Sequence, residues 1–394
     1  MSDPHGTALR EHRRCFPALA EKVYFNFGVV GAMASSTLAA LAEHYRRRQE
    51  QGPFSLEVAH AQARDDEGAR AAFGALLGVP AAEVALQEST CTGCTALLLS
   101  VDWRAGDELL LTDAEYPALV ELSRLLAKRF GVVPVTVPVL ERADEATARV
   151  AAALTPRTRV LLLSHVLWTS GEVLDLAAIA ALLEGRSPRP LLFIDGAQGP
   201  GNLTVRPAQD GVDAYAFTGH KALCGPDGIG GLWVPERVSS LLEPMTAGWR
   251  GVRVDPRGAA AGYLSGARRF EAATATFGTR PALVEALRLA DEFAPPAVRA
   301  ARVQALAARA WHGLASQGPG MQLRAPPKSS LVTFRVPGAD ESVVAAALLR
   351  ERIFARALPQ TRVVRLSLGY LNTEDELDAA VAAIARLREG GYAG

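Results

Sequence analysis

Two short segments of the sequence carry the side chains best suited to chemistry. The first is an apolar run, LLFI, followed by Asp195, Gly, Ala and Gln198; the second ends in Thr218-Gly-His220-Lys221. Because the carboxyl ends of strands in an open parallel sheet face the ligand crevice, we expect these side chains to converge in one cleft. A carboxylate, an amide, a hydroxyl, an imidazole and an amine would then share one site.

The amine and the carboxylate of this set indicate a particular kind of chemistry. A lysine that is desolvated and close to other cations has a lowered amine pKa and can form a Schiff base with a carbonyl group. A carboxylate opposite it, here Asp195, suits the pyridinium nitrogen of pyridoxal phosphate, a cofactor that serves as an electron sink. The structural alternative is that Asp195 caps a helix and His220-Lys221 forms a solvated loop, since such sequences occur freely in loops.

Both segments belong to a series of apolar runs between residues 84 and 234. The runs are Val84–Leu86, Glu108–Leu111, Val132–Val137, Val160–Leu163, Leu191–Ile194, Ala214–Phe217 and Gly231–Val234. Consecutive apolar positions in short runs are typical of strands buried on both faces of a parallel sheet. Stretches with helical spacing lie between them, at Pro117–Phe130 and Leu174–Leu183. This alternation predicts an α/β fold with a mostly parallel, seven-stranded central sheet between helices.

The rest of the chain predicts a smaller α+β domain. Its expected elements are one or two long helices over Pro281–Gln317 interrupted at Pro295–Pro296, strands at Leu331–Val336 and Val363–Leu368, a helix at Glu341–Arg350, and a last helix that opens with the capping-box spacing Thr373-Glu-Asp-Glu376. We expect residues 1–50 to pack against this domain, residues 51–280 to form the large cofactor-binding domain, and residues 281–394 to form the small one. The stretch Pro256–Gly266 is expected to be a loose loop.

Composition and charge narrow the class of protein. Hydrophobic residues make up 49% of the 394 residues and charged residues 21%, as in soluble globular proteins and unlike disordered chains. The 42 basic and 42 acidic residues balance, so we expect no nucleic-acid partner. No apolar stretch reaches the ~18 residues of a membrane span, and the N-terminus lacks the apolar core of a signal peptide. Four cysteines are too few for a disulfide scaffold at this length and include no second pair at metal-ligand spacing, so we expect a cytoplasmic enzyme with neither disulfides nor a metal.

The two segments described above resemble the signature of class V, fold-type I enzymes that depend on pyridoxal phosphate. The resemblance extends over most of the chain. Further similar segments are Val23-Tyr-Phe-Asn26-Phe-Gly28, Ser164-His165-Val-Leu-Trp-Thr-Ser-Gly, Gly225-Pro-Asp-Gly-Ile-Gly-Gly, Gly248-Trp249-Arg250, Arg269-Phe-Glu-Ala-Ala-Thr274 and Val364-Arg365-Leu-Ser-Leu-Gly-Tyr-Leu-Asn-Thr. The family includes cysteine desulfurases, isopenicillin-N epimerase-like proteins and cyst(e)ine C–S lyases. The segments Asn26-Phe-Gly28 and Gly248-Trp249-Arg250, together with the aromatic residue Trp168 after Leu167, look most similar to the C–S lyase branch.

The resemblance implies how the cofactor is held. Lys221 would bind pyridoxal 5'-phosphate covalently and move the Cα proton of the substrate. Asp195 would pair with the pyridine nitrogen, and Gln198 would hydrogen-bond the phenolic oxygen. The phosphate would be bound by Thr218, His220 and the helix-opening turn Thr90-Cys91-Thr92, whose backbone N–H groups suit an anion.

The same resemblance implies how substrate and partner subunit contribute. These enzymes resemble obligate homodimers with shared sites, so Thr274 or Thr276 would reach the cofactor phosphate of the neighbouring subunit. Arg365 would bind the substrate carboxylate through its planar, two-pronged donor geometry. Asn26 and Gly28 are expected on the substrate side as well. Arg356 either assists Arg365 or forms a surface salt bridge.

Two positions depart from the usual family pattern. The aromatic residue that covers the cofactor ring is usually histidine, and Tyr116 stands at the matching position. Tyrosine can stack equally well but lacks the acid–base function of histidine near neutral pH, and its ordinary alternative is a half-buried loop aromatic. At His165 desulfurases usually have asparagine. His165 could still bond the phenolic oxygen of the cofactor, or it could be a core histidine with satisfied hydrogen bonds.

The spacing Cys91-Thr-Gly-Cys94 suggests a different class of function. A C-x-x-C at a strand-to-helix turn is where a thioredoxin-like redox pair lies, so a redox or sulfur-relay protein is the rival hypothesis. A zinc site would need a second pair of ligands, and Cys15 and Cys224 lack partners at the required spacing. Because the turn coincides with the expected phosphate loop, we interpret the two cysteines as incidental.

The positions of the cysteines also bear on the reaction. A cysteine desulfurase needs a nucleophilic cysteine on a mobile loop shortly before the Arg365 strand, but no cysteine follows Cys224, and Ile353–Val364 is too short for that loop. Desulfurase chemistry by the usual route is therefore disfavoured. We expect β-elimination from cystine, cysteine or a cysteine S-conjugate, giving pyruvate, ammonia and a thiol or persulfide. An amino-acid aminotransferase or epimerase is the alternative.

Overall fold

A seven-stranded sheet forms the centre of the computed structural model, which describes residues 4–318, 320–324 and 326–390. The strands, numbered in chain order, are β1 (Val23–Tyr24), β2 (Val84–Gln87), β3 (Glu108–Thr112), β4 (Val133–Val137), β5 (Thr158–Ser164), β6 (Leu191–Asp195), β7 (Ala214–Thr218), β8 (Gly230–Trp233), β9 (Val252–Val254), β10 (Ala260–Tyr263), β11 (Gln322–Leu323), β12 (Leu331–Arg335), β13 (Ile353–Phe354), β14 (Arg356–Leu358) and β15 (Val363–Ser367). The large sheet has the order β2-β8-β7-β6-β5-β3-β4, and β8 runs antiparallel to both of its neighbours. The predicted α/β class is confirmed.

Helices cover both faces of this sheet and build much of the smaller domain. They are α1 (Pro4–Arg13), α2 (Ser35–Glu50), α3 (Leu56–Leu77), α4 (Thr90–Leu99), α5 (Pro117–Phe130), α6 (Ala146–Ala153), α7 (Leu176–Ala181), α8 (Glu236–Ser239), α9 (Thr279–Phe293), α10 (Pro296–Ala315), α11 (Glu341–Arg350) and α12 (Glu374–Gly390). Within the described ranges, no helix is both long and apolar enough to cross a membrane.

Alternate residues of the central strands enter two separate cores, which explains why the strands are apolar at consecutive positions. Leu161 and Leu163 of β5 pack on one face with Phe73 of α3. Val160 and Leu162 of the same strand pack on the other face with residues of α4 and α5. A strand covered on both sides has no side chains that face solvent. Polar groups therefore gather at the carboxyl ends of β5, β6 and β7.

The smaller sheet has the order β11-β12-β15-β14 and is antiparallel. Its core includes Phe334, Leu366 and Ile384. The predicted capping box opens α12 as expected: the backbone N–H of Glu376 donates to Thr373 Oγ1, and the backbone N–H of Thr373 donates to Glu376 Oε2. Pro295 and Pro296 separate α9 from α10, as the sequence predicts.

The N-terminal segment connects the two parts. Strand β1 pairs in parallel with β13 of the smaller domain. A few residues later, the backbone N–H of Gly31 donates to the carbonyl of His220 at 2.6 Å. A Cβ at position 31 would collide with the carbonyl of Lys221, so glycine is required for this close approach. The N-terminal segment therefore also helps to position the loop that carries Lys221.

Two regions differ in detail from the sequence-based expectation. Residues 256–266 are not an irregular loop throughout, because they contain β10, which pairs antiparallel with the preceding strand β9. Helix α9 starts at the expected domain boundary near residue 280 and continues into the expected small domain, yet its residues Leu283 and Leu287 pack in the core of the large sheet. The proposed division into three segments stays a prediction.

Candidate active site

A cavity of about 360 Å³ opens at the carboxyl edge of the large sheet, beside the smaller domain. It brings together most of the residues that the sequence singles out: Gly28, Thr90, Cys91, Tyr116, Asp195, Gln198, Thr218, His220, Lys221, Arg356 and Arg365. They come from the N-terminal segment, the large sheet and the smaller sheet, so the cavity exists only because all three parts meet. A concave site with convergent polar groups is the usual form of a small-molecule site.

Asp195 and Lys221 provide opposite charges within this cavity. Asp195 ends β6 and is buried, and Lys221 lies three residues after the end of the adjacent parallel strand β7. Burial lowers the pKa of Lys221 to about 8, an effect that Asp195 opposes and Arg365 reinforces. Burial also raises the pKa of the Asp195 carboxyl, while the backbone N–H of Ala197 and the charge of Lys221 lower it. A fraction of the Lys221 side chain therefore carries a neutral amine near neutral pH.

Gln198 lies across the cavity from the N-terminal segment. Its Nε2 donates to the carbonyl oxygen of Gly28 at 2.9 Å. The second hydrogen of the amide remains for an oxygen atom in the cavity, as the phenolic-oxygen role requires. The turn that carries Gln198 is compact, since a Cβ at Gly196 would overlap the ring of Tyr215. The sequence Asp-Gly-Ala-Gln therefore fixes the amide relative to the carboxylate of Asp195.

The end of the cavity next to α4 has the features of an anion site. Helix α4 starts at Thr90, and Ser89 and Thr92 form a capping box at its N-terminus. The hydroxyl of Thr90 is buried and has no hydrogen-bond partner among the described residues. Thr218 Oγ1 and His220 Nδ1 lie 2.6 Å apart at the end of β7. The helix N-terminus, the unpaired hydroxyl and these two side chains fit a phosphate group.

The opposite end of the cavity carries two arginines. Arg365 on β15 is buried, and Nη1 donates to the carbonyl of Trp168 at 2.6 Å, whereas Nε has no partner in the described chain. Burial and the nearby charge of Arg356 lower the pKa of the Arg365 guanidinium. An uncompensated buried cation is costly, so this end of the cavity favours an anionic group. Tyr116 stands edge-on to Trp168 at 5.7 Å between ring centres.

Five predicted site residues lie outside the cavity lining. Thr92 is exposed in the capping box of α4, and half-buried Asn26 forms a β-bridge with Ser367. His165 is buried, and its Nδ1 lies 2.9 Å from Tyr215 Oη, the arrangement expected of a core histidine. Burial lowers the pKa of His165 to about 4. Thr274 and Thr276 are exposed on a separate surface, where Trp249 Nε1 donates to Thr274 Oγ1 at 3.3 Å.

Sequence reasoning missed several residues at the site. Ser164 ends β5 and lines the cavity, and its position at a strand terminus was a usable signal. Trp168 also lines the cavity and shapes it between Tyr116 and Arg365. Val29 and Val30 follow Gly28 and close the side nearest the N-terminal segment. The contribution of the two valines depends on loop paths that no local pattern in the sequence indicates, whereas the sequence marks Trp168 only as a point of resemblance to the C–S lyase branch.

The cysteine pair does not have the environment of a redox motif. Cys94 lies on the buried face of α4, and Cys91 is half-buried at the cavity wall. Burial raises the pKa of both thiols, with the negative charge of Asp195 acting in the same direction. Reactive cysteines have lowered pKa values, so the structure favours two unreactive thiols over the relay hypothesis.

The parallel sheet, the lysine and carboxylate at adjacent strand ends, and the anion site at a helix N-terminus define a pyridoxal-phosphate enzyme of fold type I. Comparison with known families gives the same result. The family model for class V aminotransferases matches residues 32–380. The chain belongs to this family and is a pyridoxal-phosphate-dependent enzyme of class V.

Similar solved structures include the cystine C–S lyase C-DES in complex with its reaction product cysteine persulfide. The similarity has a TM-score of 0.90 and 32% identity and covers 94% of this chain and 99% of that one. A lysine-to-alanine mutant of C-DES, with glycine linked covalently to its cofactor, gives 0.90 and 32% with coverage of 95% and 98%. A cysteine desulfurase from Thermococcus onnurineus, at 20% identity with a TM-score of 0.86, shares the fold, with coverage of 99% of each chain.

Relatives identified by sequence carry several different activities. Isopenicillin N epimerase from Streptomyces clavuligerus is 30% identical over 340 residues, which are 81% of this chain and 83% of the epimerase. A probable cysteine desulfurase from Mycolicibacterium paratuberculosis is 29% identical over 299 residues, 73% of this chain but only 43% of that longer protein. Membership of the family therefore leaves the reaction to be argued from the site.

Proposed function

We propose that this protein is a carbon–sulfur lyase that catalyses β-elimination on cystine, cysteine or a cysteine S-conjugate. The main supporting observation is that Lys221 and Arg365 line one cavity, next to a short hairpin that contains no cysteine. Strands β14 and β15 are connected by only residues 359–362, with the sequence Pro-Gln-Thr-Arg. A desulfurase would need its sulfur-accepting cysteine in this region. The site thus has the groups for elimination and lacks the residue for sulfur transfer by the usual route.

In this proposal Arg365 binds the α-carboxylate of the substrate. Its buried guanidinium, held by the carbonyl of Trp168, presents a fixed cation at the end of the cavity. A substrate anchored in this way would extend into the cavity that Lys221 also lines. A charge-assisted contact of this kind supplies both orientation and binding energy. Arg356, exposed at the rim, adds positive charge on the same side.

Lys221 then moves the proton. With its pKa lowered to about 8, a useful fraction of the amine is neutral near neutral pH and can accept the Cα proton. Bound pyridoxal phosphate supplies the electron sink for the carbanion charge. The carboxylate of Asp195 would stabilise positive charge at the ring nitrogen, and Thr90, Thr218 and His220 would hold the phosphate end. A thiolate or persulfide leaves from Cβ, and the remaining aminoacrylate reacts with water to give pyruvate and ammonia.

Incubation of the holoenzyme with cystine tests the proposal. Pyruvate, ammonia and cysteine persulfide in equal amounts are expected. Amino-group exchange between alanine and a ketoacid, without pyruvate from cystine, would support the aminotransferase alternative. Loss of Cα stereochemistry without pyruvate would support an epimerase, the activity named for the Streptomyces relative. Alanine as the product from cysteine, with sulfur left on the protein, would support a desulfurase.

We further propose that the enzyme works as a cytoplasmic homodimer with shared sites. A surface outside the cavity exposes large apolar side chains: Phe54 at 101%, Leu56 at 79%, Val254 at 60% and Trp249 at 59%. These residues and Thr274 line one groove. Contiguous exposed apolar surface of this kind is typical of an interface. Sedimentation of the wild type and of the F54S/W249S variant tests this: we expect a dimer and a weakened dimer, respectively, and a monomeric wild type would exclude it.

A further inference from the structure

Glu115 is a buried carboxyl directly behind the wall of the cavity. It follows the end of β3 and immediately precedes Tyr116, which lines the cavity and starts α5 as its N-cap. Only 5% of its surface is exposed. A buried carboxyl needs hydrogen bonds or a counter-ion, so the partners of Glu115 show how its charge is managed.

The partners of Glu115 are hydroxyl and amide groups. Thr112 Oγ1 donates to Oε1 at 2.7 Å, and the backbone N–H of Ser164 donates to the same oxygen at 3.2 Å. The hydroxyl of Ser164 lies 2.6 Å from Oε2. Across the described ranges of the chain, no arginine, lysine or histidine lies within ion-pair distance of Glu115. The neighbouring carboxylate Asp195, by contrast, has the positive charge of Lys221 nearby.

Ser164 connects Glu115 to the active site. It ends β5, pairs in register with Asp195 at the end of β6, and lines the cavity. The titratable groups that face Glu115 are Asp195 from β6 and the buried thiol of Cys94 from α4. Neither can compensate a negative charge, and ionised Asp195 repels one. Burial and the charge of Asp195 therefore favour the protonated form of Glu115, whereas the three hydrogen bonds favour the ionised form.

We propose that Glu115 is a positioning residue that switches the Ser164 hydroxyl, and with it the hydrogen bonding beside Asp195, according to its protonation state. When Glu115 is ionised, Oε2 accepts the single hydrogen of the Ser164 hydroxyl. When Glu115 carries a proton, its own O–H donates to Ser164 Oγ, and the serine hydrogen is released to another acceptor at the cavity wall. One proton is gained or lost, and the donor and acceptor of the hydrogen bond between Glu115 and Ser164 change places.

The opposing effects on the pKa of Glu115 place its change of protonation near neutral pH. Burial raises the pKa of Glu115 to about 7 and Asp195 acts in the same direction, while the hydrogen bonds from Ser164 and Thr112 lower it. The pairing of Asp195 with the cofactor ring would then feel a second negative charge only on the alkaline side. The inference depends on the cofactor and the site, and it is independent of whether the reaction is elimination, transamination or epimerisation.

The test is a pH titration of the visible absorbance of the holoenzyme without substrate, between pH 5 and 9. We expect the wild type to show a transition near pH 7 that is absent in E115Q. The matched control is E108Q: Glu108 is equally buried and accepts hydrogen bonds from Thr155, Thr158 and Arg157, but it begins β3 at the far edge of the sheet. E108Q should keep the wild-type transition.

A second variant gives a direction that structural loosening does not predict. Because the Thr112 hydrogen bond favours the ionised form of Glu115, T112V should move the transition to higher pH. A wild type without the transition, an E115Q titration that equals that of the wild type, or loss of the transition in E108Q as well would overturn the proposal. If E115Q does not fold, an unmoved transition in T112V is the overturning result. These readouts use no substrate, so a failed lyase assay leaves them interpretable.

Discussion

Arg356 and Arg365 lie directly opposite each other on the paired antiparallel strands β14 and β15, so both side chains leave the same face of the small sheet. Both line the cavity, with Arg365 buried and Arg356 exposed. Like charges at directly opposite positions destabilise a strand pair. A carboxylate between them would relieve this repulsion, so binding of a carboxylate-bearing molecule would stabilise the strand pair.

The first prediction concerns Arg365. In R365K the ammonium group keeps the charge but loses the two-pronged geometry, and the buried stem no longer reaches the Trp168 carbonyl in the same way. We expect KM for the amino-acid substrate to rise by about 10- to 100-fold, corresponding to ~1.4–2.8 kcal/mol, with a smaller change in kcat. Steady-state kinetics measure both. R335K is the matched control, since Arg335 is exposed on the adjacent strand β12 and its side chain donates to the Thr361 carbonyl. A KM for R365K equal to that of R335K would exclude the assigned role.

The second prediction concerns the effect of buried Lys221 on the free energy of unfolding. Its folded pKa of about 8 lies below the unfolded value of 10.5, so stability is lost as pH falls from 10.5 to about 8, and the full penalty is present below about 8. Replacing it by methionine removes this penalty while keeping an apolar stem. We expect apo K221M to be more stable than apo wild type by ~2 kcal/mol at pH 7, allowing for partial solvent screening.

Urea unfolding of both apo proteins at pH 7 and pH 10 measures this difference, which should shrink at pH 10. The same variant should bind no cofactor covalently and should lose at least ~10²-fold in turnover, because it lacks the proton acceptor. K128M is the control: Lys128 is exposed in the last turn of α5, and its loss should change neither quantity. A K221M protein less stable than wild type at pH 7 contradicts the argument.

The third prediction concerns Tyr116, which replaces the usual histidine. The residue is 44% exposed and its ring stands edge-on to Trp168, so the ring has the freedom and the flat surface to cover a bound ring. We expect Y116F to bind pyridoxal phosphate with nearly wild-type affinity and Y116A to bind it about 10-fold more weakly, from the loss of ~1.4 kcal/mol of aromatic contact. Equilibrium dialysis of the apoenzymes gives the two affinities. Equal affinities of Y116A and the wild type would leave Tyr116 as an ordinary loop aromatic.

Much of this architecture was predictable because strands buried on both faces have a strong local signature. The run at Val160–Leu163 has apolar side chains at every position, and the structure extends that strand only to Thr158–Ser164. The polar residues after β6 and β7 were predictable for the related reason that strand ends in parallel sheets meet at one edge. Asp195 and Lys221 were found in this way.

The rest of the site depends on contacts between distant segments, which leave no local pattern. His165 directly follows Ser164, which lines the cavity. Because successive side chains of extended backbone point to opposite sides, His165 points toward Tyr215 and away from the cavity. Glu115 immediately precedes an expected site residue, and only the fold shows that it bonds Ser164. Thr274 and Thr276 lie on another surface of the single chain, so their predicted role requires the partner subunit.

The last prediction concerns the charge coupling between Asp195 and Lys221. The negative charge of Asp195 raises the pKa of Lys221, against the larger effect of burial. In D195N this support is lost, so the pKa of Lys221 should fall further below about 8, and more of the amine should be neutral in mildly acidic solution. The pH dependence of the rate at which apoenzyme incorporates pyridoxal phosphate reports this value, because only the neutral amine reacts. Its midpoint should move to lower pH in D195N. It should stay in place in D213N, which alters a buried carboxylate paired with Arg189 and Arg237 at the far end of β7. A midpoint that rises in D195N means that Asp195 and Lys221 do not interact as opposite charges, and the site would then need a different assignment for its carboxylate.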